Sequence, residues 1–564
     1  MPFTLRRSKR KELVFSRSLV EAVKSKIFVP NKKDSYVCEW HSDTDVLIQG
    51  KLRTYPCSDR SPTLRRQRSR YSHLPAELLA YIFILGAQDD PLFPITITHV
   101  CRSWRALALQ TPSLWRIVSL DNRLRLWNEY IRRSRACTLD IRLVPQSRKN
   151  NGSSSPDPRS RAHGRYYLAA QSVQNYLHCA APHISRWRSL EIEFQHYAPY
   201  LWNGALSACC GYGPSSYAPQ LESLTLINPN NDDTNEFTLF GGYAPKLRRV
   251  TLNGIRLTWL PDVFANLSAL DYTHHGFTRG RDAAAELLYM LQISNRLRQL
   301  KVSIPSRAGA HSSFPFRFPA EDSVLLAHLT ELSIIIEDTN LPSALIQFIA
   351  HVSIPNIHTL HLMVKPTTND TRPSRAGQSD ISTRLRQFLK ALPRLYTLRR
   401  LELEYAWLSD PRFIFMLLHV VPSLTHLTLR GPHITNSPLF ELCDILRARY
   451  RSSSKYPLIL DVLELDRCEH VTAGALVDVV KHNLDAGTGR RPGMCVRAVH
   501  VKDCVGVDVL ALRRLKSNPS GVRLRVWRKG EEVDFGTLNA KATAAKRHRY
   551  HQTTEDSYVS LSTY

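Results

Sequence analysis

Ser72 to Asp90 read SHLPAELLAYIFILGAQDD. Pro75 sits where the first turn of a helix needs no N–H, and Leu78 with Ile82, then Leu79 with Phe83, recur at i, i+4. The spacing predicts a short amphipathic helix. Beyond the stretch Gln88 to Pro94, read as a loop, a second helix is expected over about Ile95 to Leu109. Val100, Trp104 and Leu107 share one of its faces, while Arg102 and Arg105 point elsewhere. Thr111 and Pro112 form an N-cap and N1 pair for a third turn that brings Leu114 and Trp115 inward. Three helices in about 45 residues hold too little core to be very stable alone, so this module should need a partner.

These residues carry a resemblance. Leu74-Pro75-x-Glu77-Leu78-Leu79-x-x-Ile82-Phe83, then Val100-Cys101-Arg102-x-Trp104-Arg105 and Leu114-Trp115, resemble the F-box motif over essentially its whole length, and the chain looks like a fungal-type F-box protein with leucine-rich repeats. The resemblance implies that the module packs on a Skp-type adaptor, which bridges to a cullin carrying the RING subunit and the ubiquitin-conjugating enzyme. By that carry-over Leu74, Pro75, Leu78, Ile82, Val100, Cys101, Trp104 and Trp115 supply the docking face or its support. The competing reading makes the same side chains the core of an N-terminal cap on the repeats. Burying a leucine or isoleucine is worth roughly 1.5 to 3 kcal/mol whichever chain covers it, so the pattern alone does not separate the two.

After Trp115, a helix over Asn122 to Arg133 leads to an alternating strand, Leu139 to Leu143. Helix then strand recurs. Triads at L-x-x-L-x-L spacing begin at Leu221, Leu247, Leu297, Leu329, Ile357, Leu398, Leu424, Leu460 and Val496, with weaker copies from Trp187 and Leu267. Intervals of about 20 to 40 residues overlap the leucine-rich-repeat range and exceed it where insertions occur. Helical patterns at Asp282 to Ile293, Ser343 to His351, Thr383 to Leu392 and Ala473 to His482 lie between triads. One strand and one helix per unit make a curved α/β solenoid. Glu464-Leu465-Asp466-Arg467-Cys468 and Val501-Lys502-Asp503-Cys504 resemble the cysteine-containing repeat variant often joined to F-boxes, in which the cysteine sits where the chain turns away from the strand.

Strand side chains alternate, so residues between the leucines face the concave side. They include Arg249, Thr251, Gln299, Lys301, Thr359, His361, Arg400, Glu402, His426, Thr428, Glu464, Asp466, His500 and Lys502. Lys301, His361, Arg400, Glu402, His426, Glu464 and His500 are the candidate cargo face; an ordinary solvated sheet surface is the alternative for each.

Charge and composition bound the rest. The 76 Lys and Arg outnumber the 49 Asp and Glu, a net charge of +27 that draws the chain toward acidic partners. Part of the excess is local, at Arg6 to Lys11 and at Arg65, Arg66, Arg68 and Arg70, which read as nuclear import signals or as a solvated basic leader. No run approaches the roughly 18 to 20 apolar residues that span a bilayer, so no membrane partner is expected. The 11 cysteines include no C-x-x-C pair, and Cys38, His41 and Cys57 lack a fourth ligand. Cys101 and Cys468 fall in apolar packing patterns. Neither a phosphate-binding loop, a G-x-S-x-G elbow nor an H-E-x-x-H helix occurs, and His274-His275 has no partner that spacing can assign. No catalytic residue, cofactor or metal is expected.

The organisation expected is therefore a disordered basic leader (1–70) with one short helix near Leu13 to Val23, an F-box (71–118), an irregular leucine-rich-repeat solenoid (119–528) and a disordered tail (529–564). Gln146 to Gly164 and Pro366 to Asp380 read as mobile loops. Two functions remain open: a substrate receptor of an SCF-type ubiquitin ligase holding a protein target on its repeats, in the cytoplasm or nucleus, or a nuclear scaffold associated with nucleic acid through the basic leader.

Overall fold

The computed structural model describes residues 74–144, 170–194, 205–207, 209–211, 213–278, 280–305, 323–337, 341–365, 378–408, 411–432, 434–451, 460–484, 496–508, 512 and 523–533. The leader with its basic clusters, the Leu13 to Val23 helix, Cys38, His41 and Cys57, the Gln146 to Gly164 loop and nearly all of the Pro366 to Asp380 loop lie outside them. Contacts divide the chain into two compact units, one ending at Asp140 and one beginning at Ile141.

The first unit is helical: α1 (Ala76–Asp89), α2 (Phe93–Thr98) and α3 (Arg102–Gln110), a 3-10 turn (Pro112–Trp115), a short strand β1 (Ile117–Ser119), α4 (Leu124–Arg133) and the start of β2 (Leu139–Leu143). The single helix expected over Ile95 to Leu109 is instead two. Cys101 is extended (φ −159°), and its sulfur accepts the Trp104 amide, 3.5 Å away, as the N-cap of α3. Thr98 closes α2 with a 2.6 Å hydroxyl bond to the Ile95 carbonyl, and Arg105 Nε donates across the break to the Thr98 carbonyl at 2.8 Å. Side-chain capping at the break thus outweighs a continuous apolar spacing. Of the stretch Gln88 to Pro94, read as a loop, only Asp90 to Leu92 connects the helices: the Asp90 carboxylate accepts the Leu92 amide at 2.9 Å and α2 starts at Phe93. Thr111 precedes the 3-10 turn as expected, but its hydroxyl donates backward to the Leu107 carbonyl at 2.7 Å instead of capping forward.

Unit one closes around aromatic side chains. Trp115, 1% exposed, donates its indole N–H to the Ala108 carbonyl at 2.8 Å and meets Tyr130 edge-on with ring centroids 4.9 Å apart. Tyr130 donates to the Pro91 carbonyl at 2.9 Å, and the Arg133 guanidinium lies 4.5 Å over the Trp115 ring. Through these contacts α4 shields a side of the bundle that three short helices would leave open.

In the second unit each leucine triad becomes a rung. β3 (Trp187–Glu193), β4 (Ser223–Ile227), β5 (Arg249–Asn253), β6 (Ala269–Thr273), β7 (Gln299–Ser303), β9 (Glu331–Glu337), β11 (Thr359–Lys365), β12 (Arg400–Glu404), β13 (His426–Arg430), β14 (Leu460–Asp466), β15 (Val496–Lys502) and β16 (Arg523–Arg528) lie side by side in chain order, all parallel. β8 (Val324–Leu325) and β10 (Val352–Ser353) pair separately. The register sets equivalent triad positions opposite one another: Leu224 faces Val250, Leu360 faces Leu401, and Leu465 faces Val501. No triad residue, the copies from Trp187 and Leu267 included, is more than 3% exposed. Helices Arg281–Ile293, Ser343–Ala350, Gln378–Ala391, Pro411–Val420, Ser437–Arg451 and Ala473–Leu484 each pack on the next, forming the second layer.

The solenoid expected to reach residue 528 closes on a rung for which the sequence shows no triad, followed by a cap. β16 carries Leu524 and Val526 opposite Val499 and Val501, and β17 (Glu531–Glu532) folds back antiparallel on it through Lys529 (φ 51°) and Gly530 (φ 82°). The repeat fold therefore runs through residues 529 to 533, which the sequence had assigned to a tail.

Where strands end, left-handed residues turn the chain toward the next layer: Gly254 (φ 75°) after β5, Arg467 (φ 54°) after β14 and Asp503 (φ 49°) after β15. Cys468 and Cys504 follow the latter two, buried at the turn, and the Cys468 amide donates to the Cys504 sulfur at 3.3 Å. Gly254 is the tightest of these turns, since an added Cβ would stand 2.2 Å from the Asn228 carbonyl oxygen. Gly254→Ala is expected to destabilise the array by at least about 2 kcal/mol, the left-handed penalty being compounded by backbone displacement. Denaturant unfolding followed by far-ultraviolet circular dichroism measures it; an unchanged midpoint would refute the close approach.

Candidate functional site

In the helical unit, α1 is apolar nearly all round, which places apolar side chains on more than one face. Phe83, Gly86 and Ala87 are buried, with Phe83 against Trp104 (centroids 4.9 Å) and Gly86 beneath the Phe93 ring. The remaining apolar residues stay at the surface: Leu74 (39% exposed), Leu78 (52%), Tyr81 (59%), Val100 (44%) and Leu109 (40%). Pro75 and Cys101 are exposed, and Ile82 and Trp104 half-buried. Of the eight docking residues expected from sequence, five are thus exposed, two are half-buried and one, Trp115, is buried. One assignment changes. Cys101 is a solvent-facing cap and not an apolar core residue. Trp115 is committed to its own unit and can support a docking face only from beneath. Tyr81 and Leu109 join the exposed set; their register with Leu78 on α1 and with the end of α3 would have found them.

In the repeat unit, the alternation holds: the candidate cargo residues sit between buried leucines on the sheet face that carries polar side chains. Most of them engage one another. His361 Nδ1 lies 3.0 Å from Glu402 and its Nε2 3.4 Å from Glu331. Arg430 pairs with Glu402 and with Asp466, the latter at 2.7 Å. Lys301 binds Asp271 at 2.8 Å, and Lys502 binds Glu464 at 2.9 Å while standing over the Trp527 ring, against whose edge His500 also packs. Glu402 and Thr428 are buried, so part of this row is an ordered ion-pair lattice, unlike the ordinary solvated sheet surface that is the alternative reading. Arg400 and His426 differ: they line a shallow depression at the strand starts with His358, Arg399, Thr425 and Asp461.

Glu464 is held down to about 2 by the His500 imidazole 3.8 Å away and by the Lys502 ammonium, against an opposing effect of burial. Its folded pKa lies below the ordinary 4.5, so its contribution to stability is complete above about pH 4.5 and is lost as pH falls toward 2. Glu464→Gln should lower the thermal midpoint at pH 7 and narrow its gap from wild type as pH is lowered through that window; a constant gap would show that the carboxylate's charge contributes nothing.

His274, His275 and Glu286 are the cluster among the described residues that could hold a metal ion. The Nδ1 atoms of His274 and His275 accept the amides of Gly276 and Phe277, each at 3.0 Å, so both rings carry their proton on Nε2. Those protons point to Thr278 (3.0 Å) and to Glu286 (2.9 Å). Ligation through Nε2 would push the protons onto Nδ1, against backbone N–H groups. Burial would raise the Glu286 carboxyl, but the two histidines hold it well below the ordinary range. The trio is a closed hydrogen-bond network that pins the turn after β6, and it supplies the partner for His274-His275 that spacing could not assign.

Comparison with known proteins places an F-box-like domain at residues 71–121, covering α1 to α3, the 3-10 turn and β1. No curated protein matches the chain. Among solved structures, the chain is similar to one in the crystal structure of a TLR13–ssRNA13 complex, with a TM-score of 0.31 and 14% identity over 64% of this chain. The match spans 43% of that chain. No described helix is long and apolar enough to cross a membrane.

Proposed function

We propose that this chain is a substrate-receptor subunit of an SCF-type ubiquitin ligase, with residues 71–118 docking on a Skp-type adaptor and the repeats to residue 528 and beyond holding a protein target. The observation that carries the reading is the set of surface-exposed apolar side chains, Leu74, Leu78, Tyr81, Val100 and Leu109, on a domain of F-box-like sequence. About half of each large side chain remains to be covered, so each would contribute roughly 1 kcal/mol, a sum that offsets part of the losses of association. Pro75, Ile82, Cys101 and Trp104 lie alongside and Trp115 braces the bundle from within. Catalysis belongs to the ligase: the receptor accelerates transfer by keeping a target lysine near the charged conjugating enzyme.

Affinity purification of the full chain in high salt tests this. A Skp-type adaptor and a cullin should persist, because their attachment is apolar. Recovery of nucleic acid alone, lost as salt rises, would overturn the receptor reading in favour of a charge-driven scaffold.

A further inference from the structure

We propose that the depression at the starts of β11 to β14 binds a carboxylate-rich segment of the partner protein, with Arg399 and Arg400 as the groups that select it. This deepens the receptor reading and rests on the repeats being its cargo-binding part.

Four successive rungs build the site: His358 before β11, Arg399 and Arg400 at β12, Thr425 and His426 at β13, and Asp461 at β14. The ladder fixes their spacing, since the Arg399 and Arg400 amides both bond the His358 carbonyl and the Thr425 and His426 amides both bond the Arg399 carbonyl. Both arginines are exposed, and among the described residues neither forms an ion pair. That sets them apart from Arg430, Lys301 and Lys502 farther along the same face, whose charges are answered by carboxylates. Asp461, the acid nearest to hand, is taken by Arg497 at 2.8 Å. Two guanidiniums in a concave, partly walled setting without a counter-ion are a recognition element for carboxylates.

His426 fits the same role. The Thr425 hydroxyl donates to the Arg399 carbonyl at 3.0 Å and so accepts the His426 Nδ1 proton at 2.9 Å, which leaves Nε2 as the ring's remaining polar atom. Burial first, and then the Arg400 charge, disfavour the protonated ring. A carboxylate at Arg400 removes the second influence and lets Nε2 take up a proton and donate. Asp461, Glu464 and His500 are the other ionisable groups acting on this ring.

Charge also argues for a short acidic peptide over a nucleic acid. The next positions along these strands are carboxylates: Glu402 and Glu404 on β12 and Glu464 and Asp466 on β14. A phosphodiester backbone continuing past the arginines would run against them, whereas a peptide can place its acids at the strand starts and uncharged or basic residues beyond.

The test titrates the full chain with a fluorescein-labelled peptide of alternating glutamate and serine in about 0.15 M salt, where diffuse attraction is screened. Arg399→Ala with Arg400→Ala is expected to weaken binding by about tenfold or more, whereas Arg248→Ala with Arg249→Ala, another exposed pair at a strand start, should change it by less than about twofold. Binding of the wild-type chain should also strengthen as pH falls from 7 to 6. Equal losses in the two double variants, no loss in either, or no binding at all would overturn the proposal. So would a single-stranded RNA oligomer whose binding depends on Arg399 and Arg400 while the peptide's does not. The thermal midpoint of the Arg399/Arg400 variant should match wild type, as neither arginine pairs with another charge among the described residues, and that of the control should fall only slightly, since Arg248 gives up one exposed hydrogen bond to the Asn266 carbonyl. Adaptor co-purification of the same variants reads the docking proposal separately: its failure in wild type leaves the peptide result standing, and its persistence in the variants leaves only the cargo site at issue.

Discussion

Leu78→Asp, alone or with Leu74→Asp, should abolish adaptor binding while leaving the fold intact. Leu78 is 52% exposed and Leu74 39%, so a carboxylate at either position stays hydrated in the free chain and removes little packing. In the docked state the same carboxylate would be stripped of water with no partner, and a loss of at least about 3 kcal/mol, more than a hundredfold in affinity, is expected. Binding measured by calorimetry against a purified Skp-type adaptor, beside a thermal melt of each variant, decides it. Retained affinity would move the docking face elsewhere on the unit, and a collapsed melt would mean that these leucines are core after all.

Trp115→Ala should do the reverse. The side chain fills the centre of a small unit, bonds the Ala108 carbonyl and supports Tyr130 and Arg133 at once. Removing a buried tryptophan costs about 3 to 5 kcal/mol, comparable with all the stability a module of this size has. Adaptor binding is then lost through unfolding: the near-ultraviolet signal of the unit and its protection from proteolysis disappear together with affinity. If the Trp115→Ala chain stays folded yet does not bind, Trp115 touches the adaptor and its burial in the free chain is not its role.

The contrast between these two tryptophan- and leucine-bearing sites shows what residue order conveys and what it leaves out. Leu78 and Phe83 are both apolar positions on one helical segment, and spacing identified the helix without ranking its faces. Which stripe faces inward is decided by Phe93, whose ring fills the place a side chain at position 86 would need, and by α4, whose Tyr130 comes from far along the chain. The repeats were more legible, because an L-x-x-L-x-L triad buries its leucines in every rung and repetition averages out local ambiguity. Even there, Arg523 to Arg528 was passed over because alternating arginines masked Leu524 and Val526, which only the register beside Val499 and Val501 reveals. The polar row was legible as positions but not as chemistry. His361 and Glu402 are 41 residues apart in the chain, and their contact at 3.0 Å arises from stacking that no local pattern encodes. For the same reason the free charge of Arg400 and the neutralised charge of Lys301 look alike in one dimension.

The turn at Lys529 and Gly530 has a further meaning for the molecule as a physical object. A parallel ladder is open-ended by nature: every strand offers its successor a row of amides and carbonyls, and nothing in the pattern of leucines says where to stop. By reversing direction over Glu531 and Glu532, the chain hands β16 a partner of the wrong polarity, flanked by Arg525 and Arg528, so that a neighbouring molecule meets charge and an antiparallel rim in place of another docking rung. Among the described residues, this reversal is what ends the parallel stacking, at the point where the periodicity fades.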